Sequence, residues 1–516
     1  EDNLLGYSTA GTRFVPQPIT MTRASAGTRV NSSGLVETVE LLGSELVNNG
    51  DFVTATSWSS GISIDTATQQ GTKNTGGLGY YTVGIITAGT LYKIVVDVES
   101  LDGATQVWVA GNTYSLSVGV QTIYAVGGSS TWNGGVVAFN NGYTTSTGSV
   151  FNSISVKEVT KNNLARVDYD VTASSLLVEP MRTNLITYSE DFSQWNNNQL
   201  TIEPNAIISP DGTLNASKIT PTTTSSVHLI STSGSTTMAM SIYAKSNGYH
   251  RFRFNSGSSG NGYASFDLNA GTVISSGGTY YTSSSIDSVG NGWYRCTLVL
   301  TSGVASVTTL AIEDNSGNVS FIGDGTSAIY VWGGQAEVGS YPTSYIPNFG
   351  TALGVTRVQD QYSKTGISNL INSEEGVLFV EMAALSDDLS YRILSLSNGT
   401  SNERVYIQYT NVSNTIAVVV KEDGNTQANM SYVLSDETAF AKVAIKWKAG
   451  TDETALWVNG FERDTDTLGN TPVGLNRLAL DNGNSITGGN KIFGKVKQLQ
   501  VFKTALTDPE LVTLTT

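Results

Sequence analysis

The chain has 516 residues, a net charge of −15 and only 14% charged residues. This acidity argues against nucleic acid as a partner, because phosphate is repelled, and the one cysteine, Cys296, excludes an intrachain disulfide or a cysteine-ligated zinc site. Helical periodicity is almost absent, whereas short strand patterns alternate with Gly, Asn and Ser turns, and no apolar run is long enough to cross a bilayer. The sequence therefore predicts an all-β protein of serial β-sandwich domains, about three or four at the usual domain size.

The N-terminal third of the chain contains the first predicted sandwich. Residues 1–43 are predicted to be an irregular segment, and residues 44–159 the first module. That module opens with the sequence LVNNGDF, followed by Trp58. The second module opens in the same way, since an apolar pair leads to an acid–Phe step with Trp195 shortly after. Repetition on the scale of one sandwich indicates duplicated modules, and we expect both tryptophans to fill their module cores.

Three aromatic residues of the first module are candidates for sugar contact, because an aromatic face can cover the apolar side of a pyranose. Trp132 lies in the sequence GGSSTWNGG, so it is either exposed for binding or folded back onto the core. Tyr80 and Tyr81 are adjacent, and neighbours on a strand face opposite sides. We therefore expect one of them in the core and the other in solvent.

The second module repeats this arrangement. Residues 160–183 are a predicted connector, residues 184–342 the second module, and residues 343–373 another connector. Tyr280 and Tyr281 follow a Gly-Gly step and are the corresponding candidates for ligand contact. Both connectors are too apolar for free linkers, so we expect them to pack against their neighbours.

Residues 374–516 are predicted to form a third sandwich. Asn459-Gly460 predicts a two-residue hairpin turn, because both residue types tolerate positive φ. Near the C-terminus, the segment Thr507–Leu514 is the best candidate for a helical turn. We expect Asp508 to cap a start led by Pro509.

No pattern of catalytic residues is convincing. Glu462, Asp464 and Asp466 alternate after the hairpin turn, which invites a paired-carboxylate glycosidase interpretation. Clustered acids repel one another, however, and a solvated strand face is the favoured interpretation. His228 and His250 are isolated in the sequence, and neither lies near a nucleophile elbow. The sequence therefore predicts a non-enzymatic protein.

Several loop motifs resemble a multi-domain structural protein of tailed bacteriophages, of the tail-fibre, tail-adhesin or capsid-fibre type. The motifs lie in residues 22–36, 164–169, 177–185 and 341–347. In the phage pattern the first of these leads directly to the second, whereas here the whole first sandwich lies between them. The resemblance implies a virion protein, and the departure implies an added binding module.

The sandwiches also resemble known module types. Residues 44–159 and 184–342 are similar to the carbohydrate-binding jelly rolls of glycoside hydrolases, and residues 374–516 to laminin-G/concanavalin-like sandwiches. Such jelly rolls often hold a structural Ca²⁺ near the opening acid, which the resemblance places at Asp51 and Asp191. The closing strand offers Asn152 where a carboxylate is expected, which weakens that assignment.

The resulting hypothesis is a non-enzymatic virion structural protein displayed on the particle exterior, where it acts as a multivalent adhesin of host-surface glycans. Its partners would be other virion proteins and copies of itself in a homo-oligomer, with a trimer favoured by analogy. Two alternatives stay open. One is a capsid or tail decoration protein that only stabilises the assembly, and the other is a secreted bacterial glycoside hydrolase or carbohydrate-binding adhesin.

Overall fold

A computed structural model describes the chain except for residues 1–6, 11–12, 17–18, 75–78, 104, 117, 141–147, 162–163, 171–172, 234–236, 258–259, 305–306, 451–453 and 468. The fold is all-β, as predicted. The chain divides into two compact units: unit 1 comprises residues 1–34, 163–182 and 356–516, and unit 2 comprises residues 35–162 and 183–355. No helix of the described residues is long and apolar enough to cross a membrane.

Unit 1 is built from two sheets that share one apolar core. With strands numbered along the chain, the nine-stranded sheet comprises β1 (Tyr7–Ala10), β2 (Arg13–Pro16), β16 (Arg166–Asp170), β17 (Ala173–Val178), β35 (Glu375–Ala384), β40 (Ala441–Lys448), β41 (Thr454–Val458), β42 (Phe461–Asp466) and β44 (Gly494–Phe502). The seven-stranded sheet comprises β3 (Thr20–Thr22), β34 (Gln361–Thr365), β36 (Arg392–Ser397), β37 (Arg404–Tyr409), β38 (Thr415–Glu422), β39 (Asn425–Val433) and β43 (Arg477–Ala479). Strand β4 (Thr28–Val30), a 3-10 turn (Ser368–Leu370) and helix α1 (Asp508–Thr515) complete the unit.

The predicted N-terminal segment and connectors contribute strands to this sandwich, so the structural boundaries differ from those predicted. Strand β3 pairs with β34, and β17 pairs with β44, both antiparallel. These strands are short, and their partners lie far away in the sequence. Local periodicity could therefore not reveal that they belong to a sheet.

Three of the four phage-like motifs, residues 22–36, 164–169 and 177–185, contribute to a buried ion network in unit 1. Nη1 of Arg23 lies 2.7 Å from Oδ1 of Asp360, and Arg166 bonds the same carboxylate. Glu179 is paired with Nη1 of Arg166 at 2.5 Å and with Nη1 of Arg357 at 2.8 Å. Removing one acid would leave a buried guanidinium without its counter-ion, at a cost of about 3–5 kcal/mol.

Two predicted details of the C-terminal sandwich can be checked. The hairpin between β41 and β42 turns at Asn459 and Gly460 with φ of 50° and 83°, which confirms the predicted turn. The predicted helix forms, but its N-cap is Thr507 rather than Asp508. The Thr507 hydroxyl and backbone N–H lie 2.7 and 2.8 Å from a carboxylate oxygen of Glu510, and this reciprocal capping box fixes the start one residue earlier.

Unit 2 contains the two predicted modules, each made of two sheets. In module 1 one sheet comprises β6 (Leu41–Glu45), β7 (Ile62–Asp65), β8 (Gln70–Lys73), β10 (Leu91–Ser100), β13 (Gly119–Val126) and β15 (Val150–Lys161). The other comprises β9 (Gly79–Tyr80), β11 (Gln106–Val109), β12 (Asn112–Ser115) and β14 (Val137–Asn140), in the order β12-β11-β14-β9.

Module 2 is larger. One sheet has the order β19-β23-β30-β25-β26-β27 and comprises β19 (Asn196–Asn198), β23 (Leu229–Ser233), β25 (Arg251–Ser256), β26 (Tyr263–Asp267), β27 (Thr272–Gly277) and β30 (Val307–Glu313). The other comprises β20 (Leu200–Ile208), β21 (Leu214–Pro221), β24 (Thr237–Asn247), β28 (Tyr281–Ser288), β29 (Tyr294–Val304) and β32 (Ala328–Glu337). The remaining strands are β5 (Val36–Thr38), β18 (Arg182–Asn184), β22 (Ser225–Val227), β31 (Ser320–Ile322) and β33 (Val355–Arg357), and 3-10 turns span Trp132–Gly134 and Phe192–Gln194.

The repeated opening has the same structural task in both modules. Phe52 and Phe192 are fully buried, and their rings contact Trp58 and Trp195 at centroid distances of 5.5 and 4.9 Å. Both tryptophans pack into the module cores, which confirms the expectation from the sequence.

Candidate functional site

The candidate site lies on the outer face of the four-stranded sheet of module 1. Along β11, Val107 and Val109 are fully buried in the core, so the alternation of the strand places Trp108 on the opposite, outward face. Trp108 pairs with Ala138 of β14, and Ala138 pairs with Tyr80 of β9. Directly paired residues share a face, so the two aromatic side chains flank Ala138 on the outside of the sheet.

Trp132 joins these two rings. Its ring is edge-on to Tyr80, with centroids 4.7 Å apart, and edge-on to Trp108 at 5.9 Å. We call Tyr80, Trp108 and Trp132 the aromatic patch. Ala138 is only 1% exposed although it faces outward, because the patch closes over it, whereas Trp132 itself is 42% exposed. The alternatives for Trp132 are thereby resolved in favour of exposure.

The glycines around Trp132 allow its loop to lie directly against neighbouring backbone. The N–H of Gly128 donates to the Val109 carbonyl at 3.1 Å, and the N–H of Ile86 donates to the Gly135 carbonyl at 2.8 Å. A Cβ at either glycine would lie 2.3 Å from a carbonyl oxygen, which is a severe clash. The loop is therefore clamped at both ends, and Trp132 is held ready for contact at low entropic cost.

Polar side chains border the patch. Thr113 pairs with Trp108 in register, and Gln106 and Ser115 form the next pair on the same face. Asn133 is exposed beside Trp132 in the loop. Hydroxyl and amide groups of this kind can both donate and accept hydrogen bonds. The surface thus combines flat apolar rings with groups suited to hydroxyl-rich ligands.

The other predicted aromatic residues lie elsewhere. Tyr81 is 3% exposed and stands edge-on to Trp58 in the core at 5.6 Å, so the expected split of the pair holds with Tyr80 outside. Because Tyr81 is buried, it cannot contact a ligand at the surface, and the sequence-based assignment of Tyr81 to a glycan is wrong. Tyr280 and Tyr281 are half-buried against the core of module 2, and neither has a ring partner among the described residues.

Trp108 was not among the sequence candidates. The available signal was the alternation in Gln106-Val107-Trp108-Val109, since a tryptophan out of phase with two valines must face away from them. What the sequence could not show is that Tyr80 and Trp132, from distant segments, would meet Trp108 on one face.

No group of three or more His, Cys, Asp or Glu side chains converges around Asp51, Asp191 or any other point of the described residues, so a Ca²⁺ site at either acid would depend on carbonyl and amide oxygens. Asp191 is the N-cap of the 3-10 turn Phe192–Gln194 and accepts from the backbone N–H of Ser193 at 3.1 Å. Asp51 is exposed. Beside it, the Asn49 amide donates to the carbonyls of Thr54 and Thr56 at 2.7 and 2.8 Å, oxygens of the kind that a cation would need.

The acids after the hairpin turn protect a sheet edge. Oδ2 of Asp464 accepts from the N–H of Ser431 at 3.2 Å, and Oδ2 of Asp466 accepts from the N–H of Asn429 at 2.9 Å. Strand β39 lies at the edge of the seven-stranded sheet, and acids that occupy its free N–H groups discourage pairing with another chain. This placement matches a structural role better than a catalytic one.

The carboxyl group of Glu190, in module 2, has a strongly raised pKa. The Glu190 carboxylate accepts from the Tyr345 hydroxyl at 2.9 Å and from the Asn215 amide at 3.0 Å. Burial, followed by the nearby Asp211 carboxylate, raises the pKa of Glu190 to about 8. Glu190 immediately precedes the capping Asp191, so it belongs to the repeated opening.

No protein-family model matches the sequence, and no curated protein matches it significantly. Among solved structures, the CBM40 domain of the Ruminococcus gnavus IT-sialidase is 19% identical and covers 30% of this chain and 98% of its own, with a TM-score of 0.26. A putative carbohydrate binding protein from Bacteroides ovatus is 9% identical and covers 55% of this chain and 77% of its own, with a TM-score of 0.25. A leech intramolecular trans-sialidase is 20% identical over 28% of this chain and 23% of its own, also with a TM-score of 0.25. The structural neighbours are thus carbohydrate-binding modules and related proteins, but scores this low carry no argument about what this chain binds.

Proposed function

We propose that the chain is a glycan-binding protein and that the aromatic patch of module 1 is its sugar-contacting surface. The observation that carries the proposal is the exposure of Trp132 between Tyr80 and Trp108 on a clamped loop. An aromatic ring that buries the apolar face of one sugar contributes about 2 kcal/mol through apolar burial. The bordering Gln106, Thr113 and Asn133 would bond the hydroxyl groups.

A patch of this size gives weak binding per site, so a useful attachment needs several copies. Linking sites raises the effective concentration of each after the first has bound. We therefore extend the proposal to a multivalent homo-oligomer without enzymatic activity. The phage-like motifs support its display on a virion exterior, where it would attach to host-surface glycans.

The proposal is tested by binding of the full-length protein to an array of neutral and acidic bacterial-surface glycans. We expect selective binding to at least one neutral glycan. Trp132→Ala should weaken that binding on the order of 30-fold, since about 1.4 kcal/mol corresponds to a factor of ten. Phe461→Ala is the matched control, because it removes an aromatic ring that is 62% exposed elsewhere.

Two results would overturn the proposal: no binding to any glycan on the array, or equal binding by Trp132→Ala and the wild type. If purified oligomers bury Trp132 between subunits and bind no sugar, the alternative of a decoration protein is correct. Release of new reducing ends from a bound glycan would contradict the absence of enzymatic activity.

A further inference from the structure

A second surface, on the outer face of the sheet of module 2 that contains β25, has a different chemistry. Phe252 and Phe254 of β25 are fully buried, so Arg251 and Arg253 project from the opposite face. One strand position separates them, which places their Cα atoms about 7 Å apart. Each side chain is 26% exposed.

Both guanidinium groups are anchored by acids. Nε of Arg253 donates to Oε1 of Glu313 at 3.1 Å, and Nη2 lies 3.0 Å from the same oxygen. Nε of Arg251 donates to Oδ2 of Asp267 at 3.3 Å. Glu313 is only 2% exposed and also accepts from the Ser265 hydroxyl at 2.8 Å, so it is a fixed support on the sheet and not a mobile surface acid.

The remaining nitrogens of the two arginines are available for a ligand. Within the described residues, Nη1 of Arg253 and both terminal nitrogens of Arg251 have no hydrogen-bond partner. The Arg253 guanidinium also lies over the Tyr263 ring, 4.9 Å from its centroid, which holds its plane in place. In register, Arg253 is flanked by Ser265 and Ala311, and these small side chains leave space above the sheet on both sides of it.

We infer that Arg251, Arg253 and Tyr263 form a second sugar site, which takes the carboxylate group of an acidic sugar. The planar guanidinium fork matches a carboxylate in two-point geometry, and such charge-assisted bonds are strong. Local positive groups are needed here, because a chain with a net charge of −15 otherwise repels anions. The site extends the proposed function to a second class of glycan and does not depend on the aromatic patch.

Saturation-transfer difference NMR on the full-length protein tests this site with three acidic monosaccharides: glucuronate, galacturonate and N-acetylneuraminate. Glucose and galactose serve as the neutral comparison. We expect a saturable signal from at least one acid, with affinity at least 10-fold above that for the neutral sugars. Arg251→Ala should reduce the affinity by 10-fold or more. Lys218→Ala, which removes a cation of similar exposure (28%) from the same module, should not.

The two arginine variants are chosen so that each should stay folded, and a loss of binding then reports on the site. In Arg251→Ala, the Asp267 carboxylate keeps its bonds from the backbone N–H groups of Asn269 and Ala270, so the strand should stay intact. Arg253→Lys retains the charge beside buried Glu313 but lacks the fork, and it should also lose at least 10-fold.

The inference is wrong if no acid binds better than the neutral sugars, or if acid binding is unchanged in both arginine variants. Trp132→Ala separates this inference from the proposed function. If acid binding survives in Trp132→Ala while neutral glycan binding is lost, the two sites are distinct. If acid binding is lost with Trp132, the acid is bound at the aromatic patch and the second site is refuted.

Discussion

Modules 1 and 2 share a repeated opening and a two-sheet core, yet their outer faces differ. On module 1 the outward positions of the four-stranded sheet hold Tyr80 and Trp108, and a clamped loop adds Trp132. On module 2 the outward positions of β25 hold Arg251 and Arg253, each anchored by an acid. The inward residues of each strand thus determine the common fold, and the outward residues determine what each module can contact.

The first prediction separates a tryptophan of the repeated opening, Trp195, which packs in the core, from Trp132, which lies on the surface. Trp195 is 5% exposed, so Trp195→Ala should lower the free energy of unfolding by about 3–5 kcal/mol. Trp132→Ala should lower it by less than about 1 kcal/mol. Calorimetric unfolding of both variants measures the difference, and similar destabilisation by the two would break the comparison.

Within module 1, glycan affinity should depend on the outward-facing ring of Trp108 and not on the inward-facing ring of Tyr81. Trp108→Ala should weaken neutral glycan binding about 10-fold, or about 1.4 kcal/mol, because one wall of the patch is removed. Tyr81→Phe should leave binding unchanged, since Tyr81 is buried. Isothermal titration with a glycan identified on the array compares the two, and a loss with Tyr81→Phe but not with Trp108→Ala would reverse the assignment.

Of the two openings, only that of module 2 should contribute a pH effect, because Gly50 of module 1 stands where module 2 has Glu190. The folded pKa of Glu190 is about 8, whereas a carboxyl of an unfolded chain titrates near about 4.3. The folded state therefore binds more protons between these pH values, and stability declines as pH rises from about 4 to about 8. Glu190→Gln should remove part of this decline.

Thermal melting from pH 4 to pH 9 checks the Glu190 prediction, with Glu203→Gln as a control for an acid whose side chain is 62% exposed. The melting temperature of Glu190→Gln relative to the wild type should be higher at pH 9 than at pH 5. An identical pH profile for Glu190→Gln and the wild type would contradict the perturbed pKa.

The smallest expected effect concerns the opening acid. Because Asp191 caps a 3-10 turn, Asp191→Ala should cost about 1 kcal/mol, whereas Asp51→Ala should cost less, since Asp51 is exposed. Chemical denaturation with and without calcium measures the free energy of unfolding of both variants. A calcium concentration of about 1 mM suits the test, because extracellular calcium sites have dissociation constants on the order of 0.1–1 mM. A calcium-dependent gain in stability that either variant abolishes would support the metal assignment, and no gain in the wild type would contradict it.

The sequence predicts the fold class well because alternation and turn residues are local signals. Strand β10 alternates inward Tyr92, Ile94 and Val96 with outward residues, and Asn459-Gly460 forms the expected turn. The contribution of β3 and β17 to the sheets of unit 1 depends on pairing with distant strands, which local patterns cannot encode. In the candidate site, Tyr80 and Trp132 could be named from sequence, but their meeting with Trp108 depends on the register of β9, β14 and β11.

The most direct test of the central claim is the affinity of the triple variant Tyr80→Ala/Trp108→Ala/Trp132→Ala for a neutral glycan bound by the wild type. Isothermal titration should detect no saturable binding, while a folded module 1 is confirmed by an unchanged circular dichroism spectrum. Wild-type affinity in the folded triple variant would show that the aromatic patch is not the sugar-binding surface.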